Sequence, residues 1–260
     1  MDGLVLLLKT WSLGLSVLLT LQYFVFLYAY RKKRIDAVDI FWGPSIIAVS
    51  FAFVFMNISS INIATLVALG CIDIWGLRLF SHIFVSYKSR NFQDQRYTEI
   101  TKSFIHKPFI VYIKIFAIQA LLASLVAVVF LAAAQSNNYN PSLLIMGLLL
   151  WLFGFIFESF ADFQLRKHIE NHPGELMKGG LWKYSRHPNY FGELVQWWAI
   201  WLMLSGGEFA MLGLVGPLSI SILIIFISGI PPLERHMVGK KGWEDYKKST
   251  SMILPMRNYK

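Results

Sequence analysis

From Gly179 to Glu193 the chain reads Gly-Gly-Leu-Trp-Lys-Tyr-Ser-Arg-His-Pro-Asn-Tyr-Phe-Gly-Glu and then turns apolar. A guanidinium, an imidazole, an amide and a carboxylate thus stand at the mouth of an apolar helix. Arg186, His187, Asn189 and Glu193 are expensive at a bilayer edge, which points to a ligand or partner that compensates them. Asn189 and Glu193 are four residues apart, and Gln196 and Trp197 continue that helical face one turn deeper. Upstream, Glu158, Asp162 and Arg166 repeat at the same spacing. Two helices joined by one loop would bring both sets to a deep polar cleft, and ionisable groups converging in a cleft point to a site.

Arginines beside tryptophan and tyrosine suit a ligand with phosphates and flat rings. Carboxylates and an amide suit ribose hydroxyls or a carboxamide. Together they describe a nucleotide cofactor such as NADPH or S-adenosylmethionine. No Gly-x-Gly-x-x-Gly follows a predicted strand and no Gly-Lys-Ser phosphate loop is present, so such a ligand has to be held by helices and loops. The six histidines are scattered with no His-Glu-x-x-His, and Cys71 is the only cysteine. The reading is therefore no metal site and no intrachain disulfide.

The elements that carry these groups are membrane helices. The chain is 56% hydrophobic and 15% charged, with mean hydropathy +0.53; a soluble domain carries about a quarter charged residues. Seven apolar stretches approach the length needed to cross about 30 Å of hydrocarbon: Leu4–Tyr30, Val38–Met56, Ile63–Tyr87, Phe109–Ala134, Ser142–Phe163, Tyr190–Leu204 and Phe209–Ile230. The sixth is short. Twenty-one of the 24 basic residues follow the first, third, fifth and seventh stretches, and the alternate loops carry none. Positive charge marks the cytoplasmic side, so the expectation is an all-α bundle of seven transmembrane helices, N-terminus outside and C-terminus cytoplasmic. It forms one membrane domain over 1–260, with function on the cytoplasmic side. The net charge of +9 then reflects topology and attraction to anionic lipid rather than nucleic acid. The absence of an extended targeting tail favours a bacterial inner membrane over the endoplasmic reticulum.

Further charges lie in or near the spans. Asp39 precedes Trp42 at the start of the second, and Asp73 and Arg78 flank Trp75 in the third. A plainer reading makes all of these an internal salt-bridge network that fixes helix register, with pairs such as Asp73–Arg78 or Asp162–Arg186. In the tail, Trp243 and Tyr246 are three apart, on one face of a helix, and suit an interfacial aromatic belt.

Several motifs resemble the steroid 5-alpha-reductase-like membrane family, in a mostly uncharacterised branch found widely in bacteria and also in plants. They are Ala161-Asp162-Phe163-Gln164-Leu165-Arg166 with the Gly179–Glu193 run, Asp39-Ile40-Phe41-Trp42-Gly43, Trp75-Gly76-Leu77-Arg78-Leu79 with Asp94-Gln95-Arg96-Tyr97, and the tail from Trp243 to Pro255. The resemblance covers about residues 36–256. It implies a seven-helix bundle with NADPH in a cytoplasm-facing cavity and an apolar substrate entering from the lipid. Hydride passes to the β carbon of an enone and a proton to the α carbon. By resemblance Asp162, Arg166, Asn189 and Glu193 are cofactor-pocket residues. Tyr246 lies in the matching tail, and Tyr184, Arg186 and His187 flank Asn189.

An enone accepts hydride faster when a donor polarises its carbonyl oxygen. Steroid reductases use a tyrosine on the third helix and a glutamate on the second. Here Trp75 stands in the tyrosine's place, no Gln-Glu pair occurs on the second span, and Thr250 replaces a tail arginine. Asp39, Asp73 and Trp75 are the candidate catalytic residues. The leading function is an NADPH-dependent reductase of a carbon–carbon double bond in a steroid-like, polyprenyl or fatty-acyl substrate. Alternatives are an S-adenosylmethionine-dependent methyltransferase of the isoprenylcysteine or phospholipid type, since Arg-His-Pro-x-Tyr also resembles those enzymes, and a non-enzymatic lipid-binding protein.

Overall fold

The computed structural model describes residues 2–90 and 92–256, and among them it is helical throughout, with one parallel bridge between Ser185 and Ser251. Arg257 and Lys260, two of the basic residues counted above, lie outside the described residues. The helices are α1 (Asp2–Lys32), α2 (Trp42–Phe55), α3 (Ile63–Ser89), α4 (Gln95–Thr101), α5 (Pro108–Val111), α6 (Ile118–Val126), α7 (Val128–Ala133), α8 (Pro141–Asn171), α9 (Pro188–Leu204), α10 (Ala210–Gly213), α11 (Val215–Ile222), α12 (Ile230–Met237) and α13 (Trp243–Ser249). A 3₁₀ segment (Ile35–Phe41) leads into α2, and π turns at Tyr112–Ala117 and Leu223–Ile227 interrupt the fourth and last apolar stretches.

Among the described residues six stretches are long and apolar enough to cross a membrane: Val5–Lys32, Ile35–Phe55, Ile63–Ser89, Pro108–Ala133, Pro141–Asn171 and Ala210–Met237. The protein is a polytopic helical membrane protein. The sixth expected span falls on α9, whose 17 residues are fewer than the about 20 that a straight crossing takes. The fifth helix runs on to Asn171, so Glu158, Asp162 and Arg166 all sit on continuous α8.

The chain divides into two compact units, Met1–Pro141 with Leu204–Gly216, and Ser142–Met203 with Pro217–Lys260. In the first unit α2 and α3 meet backbone to backbone. A β-carbon on Gly43 would lie 2.5 Å from the Gly76 carbonyl oxygen, so only glycine allows that approach. On α1 the Ser12, Ser16 and Thr20 hydroxyls donate to carbonyls four residues back at 2.7, 2.8 and 2.9 Å, which hides their O–H groups from hydrocarbon.

An ion network closes one end of this unit. Arg34 holds Asp36 through two bonds of 2.9 and 3.0 Å and donates to the Arg90 and Tyr87 carbonyls. Asp94 caps α4 by accepting from the Arg96 backbone N–H, and it pairs with the Arg90 and Arg96 guanidinium groups. Burial alone would raise the Asp94 carboxyl, but its bonds to Arg96 and Arg90 outweigh that and hold it at about 2.

In the second unit α8 buries a stripe of mostly small residues whose polar member is Glu158 and turns an apolar face outward. Gly147, Trp151, Gly154, Glu158 and Ala161 are buried, while Leu149, Phe153, Ile156 and Phe160 are exposed. Such a helix is satisfied by lipid on its outer side. Its glycines set the packing. A β-carbon on Gly154 would lie 2.7 Å from the Gly192 carbonyl oxygen, and one on Gly192 would lie 2.7 Å from the Glu158 nitrogen. At this level α8 and α9 close directly on each other, where the sequence suggests a cleft between them.

Candidate functional site

The richest constellation of polar side chains lies in the second unit, around the α8–α9 loop and the tail. The loop turns at Gly180, whose φ of +57° favours glycine and where a β-carbon would strike the Gln164 side-chain amide. Gln164 in turn accepts from the Leu181 N–H at 2.9 Å, and the Trp182 indole donates to the Ala161 carbonyl at 3.1 Å. The loop is thereby fixed to α8, and it delivers Ser185, Arg186 and His187 to the start of α9, with Pro188 at the first helical position.

Arg186 is buried and fully engaged. Its Nε and Nη2 reach Glu234 on α12 at 2.8 Å, and its Nη1 donates to the carbonyls of Lys247 (3.1 Å) and Thr250 (2.6 Å). Its backbone N–H donates to the Ser251 carbonyl at 2.8 Å. His187 Nε2 shares Glu234 at 3.2 Å. The Tyr246 hydroxyl donates to the Trp182 carbonyl at 2.5 Å, and burial pushes that phenol well above its ordinary value despite the nearby Arg186. Arg186, His187, Glu234 and Tyr246 therefore clasp the tail onto the loop. The suggested Asp162–Arg186 pair is not what forms, because Glu234 takes the guanidinium. Trp243 and Tyr246 also depart from an interfacial belt. Both are buried, with rings edge to face at 6.1 Å.

Glu234 is not among the residues singled out from the sequence, although Pro231-Pro232-Leu233-Glu234-Arg235-His236 places an acid directly after an apolar stretch. A second missed signal is His168-Ile169-Glu170-Asn171-His172, a one-turn histidine pair whose rings lie 5.2 Å apart at the end of α8. Among the described residues no group of three or more metal-ligating side chains gathers.

Burial pushes the His187 imidazole below its ordinary value, against the opposing pull of Glu234. The folded protein then holds His187 neutral at a pH where the unfolded chain already takes up a proton. Stability tied to His187 is present above about pH 6.5 and is lost as pH falls below it. The expected result is a melting temperature that drops between about pH 6.5 and 5 in the wild type and drops less in His187→Gln, read by thermal unfolding across that range.

Deeper along α9 two amides hold carbonyl oxygens that are buried without a hydrogen-bond partner, Asn189 Oδ1 and Gln196 Oε1. Gln196 Nε2 donates to Glu158 Oε2 at 2.6 Å, linking α9 to the buried face of α8. Glu193 is buried on the same helix, Asp162 is half-buried, and Arg166 and Tyr184 are exposed. The second unit thus carries all eight expected cofactor residues. It commits Arg186, His187 and Tyr246 to the tail clasp.

The three expected catalytic residues lie in the first unit. Asp39 Oδ1 accepts from the Tyr97 hydroxyl at 2.5 Å and Oδ2 pairs with Arg96 at 3.2 Å, so the Asp39 and Asp94–Tyr97 motifs meet. Burial first, and then the Asp39 charge, push the Tyr97 phenol well above its ordinary value and keep it a donor. Trp75 is buried on α3, and Asp73 Oδ1 is buried there with no hydrogen-bond partner.

A family model described as "Protein of unknown function (DUF1295)" matches residues 25–251, and the chain belongs to that family. The chain is also similar to 3-oxo-5-alpha-steroid 4-dehydrogenase 1 of Rattus norvegicus, 32% identical over 116 residues, and to the Mus musculus protein of the same name, 30% identical over 116 residues. Each match spans 42% of this chain and 40% of the relative. No solved structure matches.

Proposed function

We propose that this DUF1295 member is a membrane reductase that uses NADPH to reduce a carbon–carbon double bond in a lipophilic substrate of steroid-like, polyprenyl or fatty-acyl type. In this reading seven helices cross the bilayer, α9 included, with the basic loops and the tail cytoplasmic. The similarity to the two steroid 4-dehydrogenases supports the oxidoreductase class. The observation that carries the cofactor is on α9: Asn189 Oδ1 is a buried acceptor that lacks a donor within the protein. An orphan acceptor costs about 1–3 kcal/mol, and a ribose hydroxyl supplies the donor it lacks.

The remaining residues fit the same group. Exposed Arg166 offers a guanidinium to phosphate, and exposed Tyr184 offers a ring. Asp162 and Glu193 supply carboxylates for further hydroxyls. Arg186, His187 and Tyr246 act through the clasp, holding the tail over the loop that leads into α9 and Asn189. Bound NADPH supplies the hydride. Among the residues of the first unit, Trp75 has an indole N–H suited to polarising a carbonyl and Asp73 a carboxyl suited to carrying a proton. Asp39 serves by orienting Tyr97.

The test is cofactor binding by the purified protein in lipid nanodiscs. Asn189→Ala is expected to weaken NADPH about tenfold or more, measured by calorimetry, with the fold intact by circular dichroism. Unchanged NADPH affinity in that variant contradicts the assignment of Asn189.

A further inference from the structure

The end of α8 carries a pair of imidazoles for which the cofactor has no use. His168 and His172 are four residues apart. The His172 N–H donates to the His168 carbonyl at 2.8 Å, so the two stay one helical turn apart although α8 ends at Asn171. Their ring centres lie 5.2 Å apart, with the planes tilted by 36°. Two imidazoles on one tetrahedral metal ion, each nitrogen about 2.0–2.1 Å from it, hold their ring centres about 5 Å apart. The same spacing puts the two zinc-binding histidines of a His-Glu-x-x-His helix on one face.

The chain then turns back on the pair. Gly174 has a φ of +86°, and the Glu175 N–H donates to the His172 carbonyl at 3.1 Å. This turn sets the Glu175 carbonyl 3.3 Å from His168 Nε2. A carbonyl only accepts, so Nε2 carries the proton and Nδ1 of the neutral ring keeps its lone pair. Metal-ligating histidines are held in this way, the second nitrogen donating to a backbone carbonyl or carboxylate. The pair also stands at the C-terminal end of a 31-residue helix, where the carbonyl dipoles favour positive charge. Neighbouring side-chain charges cancel, Glu170 and Glu175 against Arg166 and Lys167. His172 is exposed and His168 half-buried, so water can complete a coordination sphere. We propose that His168 and His172 together bind one divalent transition-metal ion, His168 through Nδ1. Imidazole suits Zn²⁺, Ni²⁺ and Cu²⁺, whereas Mg²⁺ and Ca²⁺ take oxygen ligands. With only two protein ligands the ion exchanges with the medium, and it fastens the last turn of α8 at the point where the α8–α9 loop begins.

The test uses the full-length protein in phosphatidylcholine nanodiscs, freed of any affinity tag and stripped of metal with a chelator. Zn²⁺ is titrated by calorimetry while hydrogen exchange is followed in the segment 168–175. The wild type is expected to bind one Zn²⁺ per chain and to exchange more slowly in that segment, with neither effect from Mg²⁺ at the same concentration. His168→Gln and His172→Gln are each expected to weaken Zn²⁺ binding about tenfold or more and to remove the protection. Zn²⁺ affinity unchanged in either variant overturns the proposal. So does binding that leaves exchange in 168–175 unaltered, because the ion then sits on other side chains, and so does the lack of saturable binding by the wild type. If a variant does not fold, exchange in the wild type with and without Zn²⁺ decides alone. None of these results bears on the cofactor assignment, since neither histidine belongs to it.

Discussion

Arg186→Ala is expected to lower stability by about 3–5 kcal/mol, the largest single-residue effect in the second unit. The variant leaves Glu234 without its guanidinium and leaves the Lys247 and Thr250 carbonyls without their donor. The Ser185–Ser251 bridge, the Tyr246 bond to the Trp182 carbonyl, and the bonds of Ser185 to Met252, Met256 to Tyr184 and Lys178 to Gly242 are then left to hold the tail. Thermal unfolding measures the loss, and limited proteolysis locates it: cleavage is expected first in the segment after α12. Arg186→Lys is expected to recover only part of the stability, because an ammonium does not reproduce a planar fork that reaches one carboxylate and two carbonyls. An Arg186→Ala variant as stable as the wild type, with an uncut tail, contradicts the clasp.

Gly192→Val is expected to be damaging for a different reason. A β-carbon at that position falls 2.7 Å from the Glu158 nitrogen and 2.7 Å from the Gly154 carbonyl oxygen, and both of those are backbone atoms that cannot rotate aside. The two helices have to separate, and the Gln196–Glu158 bond one turn away lengthens with them. Overpacking of this kind costs about 1–3 kcal/mol, and a β-branched residue against backbone belongs at the upper end. The same separation is expected to weaken NADPH binding more than tenfold, because Asn189 rides on α9. Stability and binding measured on one preparation check the prediction. A Gly192→Val protein with wild-type affinity contradicts the proposal that this helix carries the cofactor.

These two residues also show what the sequence makes legible. The apolar lengths place the long helices closely, because hydrocarbon thickness dictates them; Ile63–Tyr87 is expected and Ile63–Ser89 is observed. The fifth apolar stretch is expected to end near Phe163, with Asp162 and Arg166 on the same helix where it leaves the membrane. The helix runs to Asn171 because Glu158, Asp162 and Arg166 share a helical face and nothing between them breaks the turn. The polar motif around Arg186 is visible as chemistry, but its use is not. Composition says that a buried arginine needs acceptors, and only the fold supplies Glu234 and two tail carbonyls some fifty to sixty residues away. Asp39 is a similar case. Its spacing before Trp42 suggests a catalytic acid at the start of a span, whereas its partners Arg96 and Tyr97 come from the motif after α3. Long-range pairing of this kind has no periodic signature.

The glycines were legible in a different sense. Gly43, Gly76, Gly154 and Gly192 read as ordinary small residues in apolar runs, yet each marks a place where two backbones touch. The orphan carbonyls of Asn189 and Gln196 were half legible: helical spacing aligns the two residues, but which of their atoms lacks a partner depends on Glu158 and the Gly192 carbonyl.

The account turns on a nicotinamide cofactor held by the second unit, and one measurement addresses it directly. The purified full-length protein in nanodiscs is unfolded thermally with NADPH, with S-adenosylmethionine and with neither. The account predicts stabilisation by NADPH that grows with its concentration, reaching about 2.7 kcal/mol at a hundredfold excess over Kd, and no shift with S-adenosylmethionine. A shift with S-adenosylmethionine and none with NADPH contradicts it and makes the chain a methyltransferase.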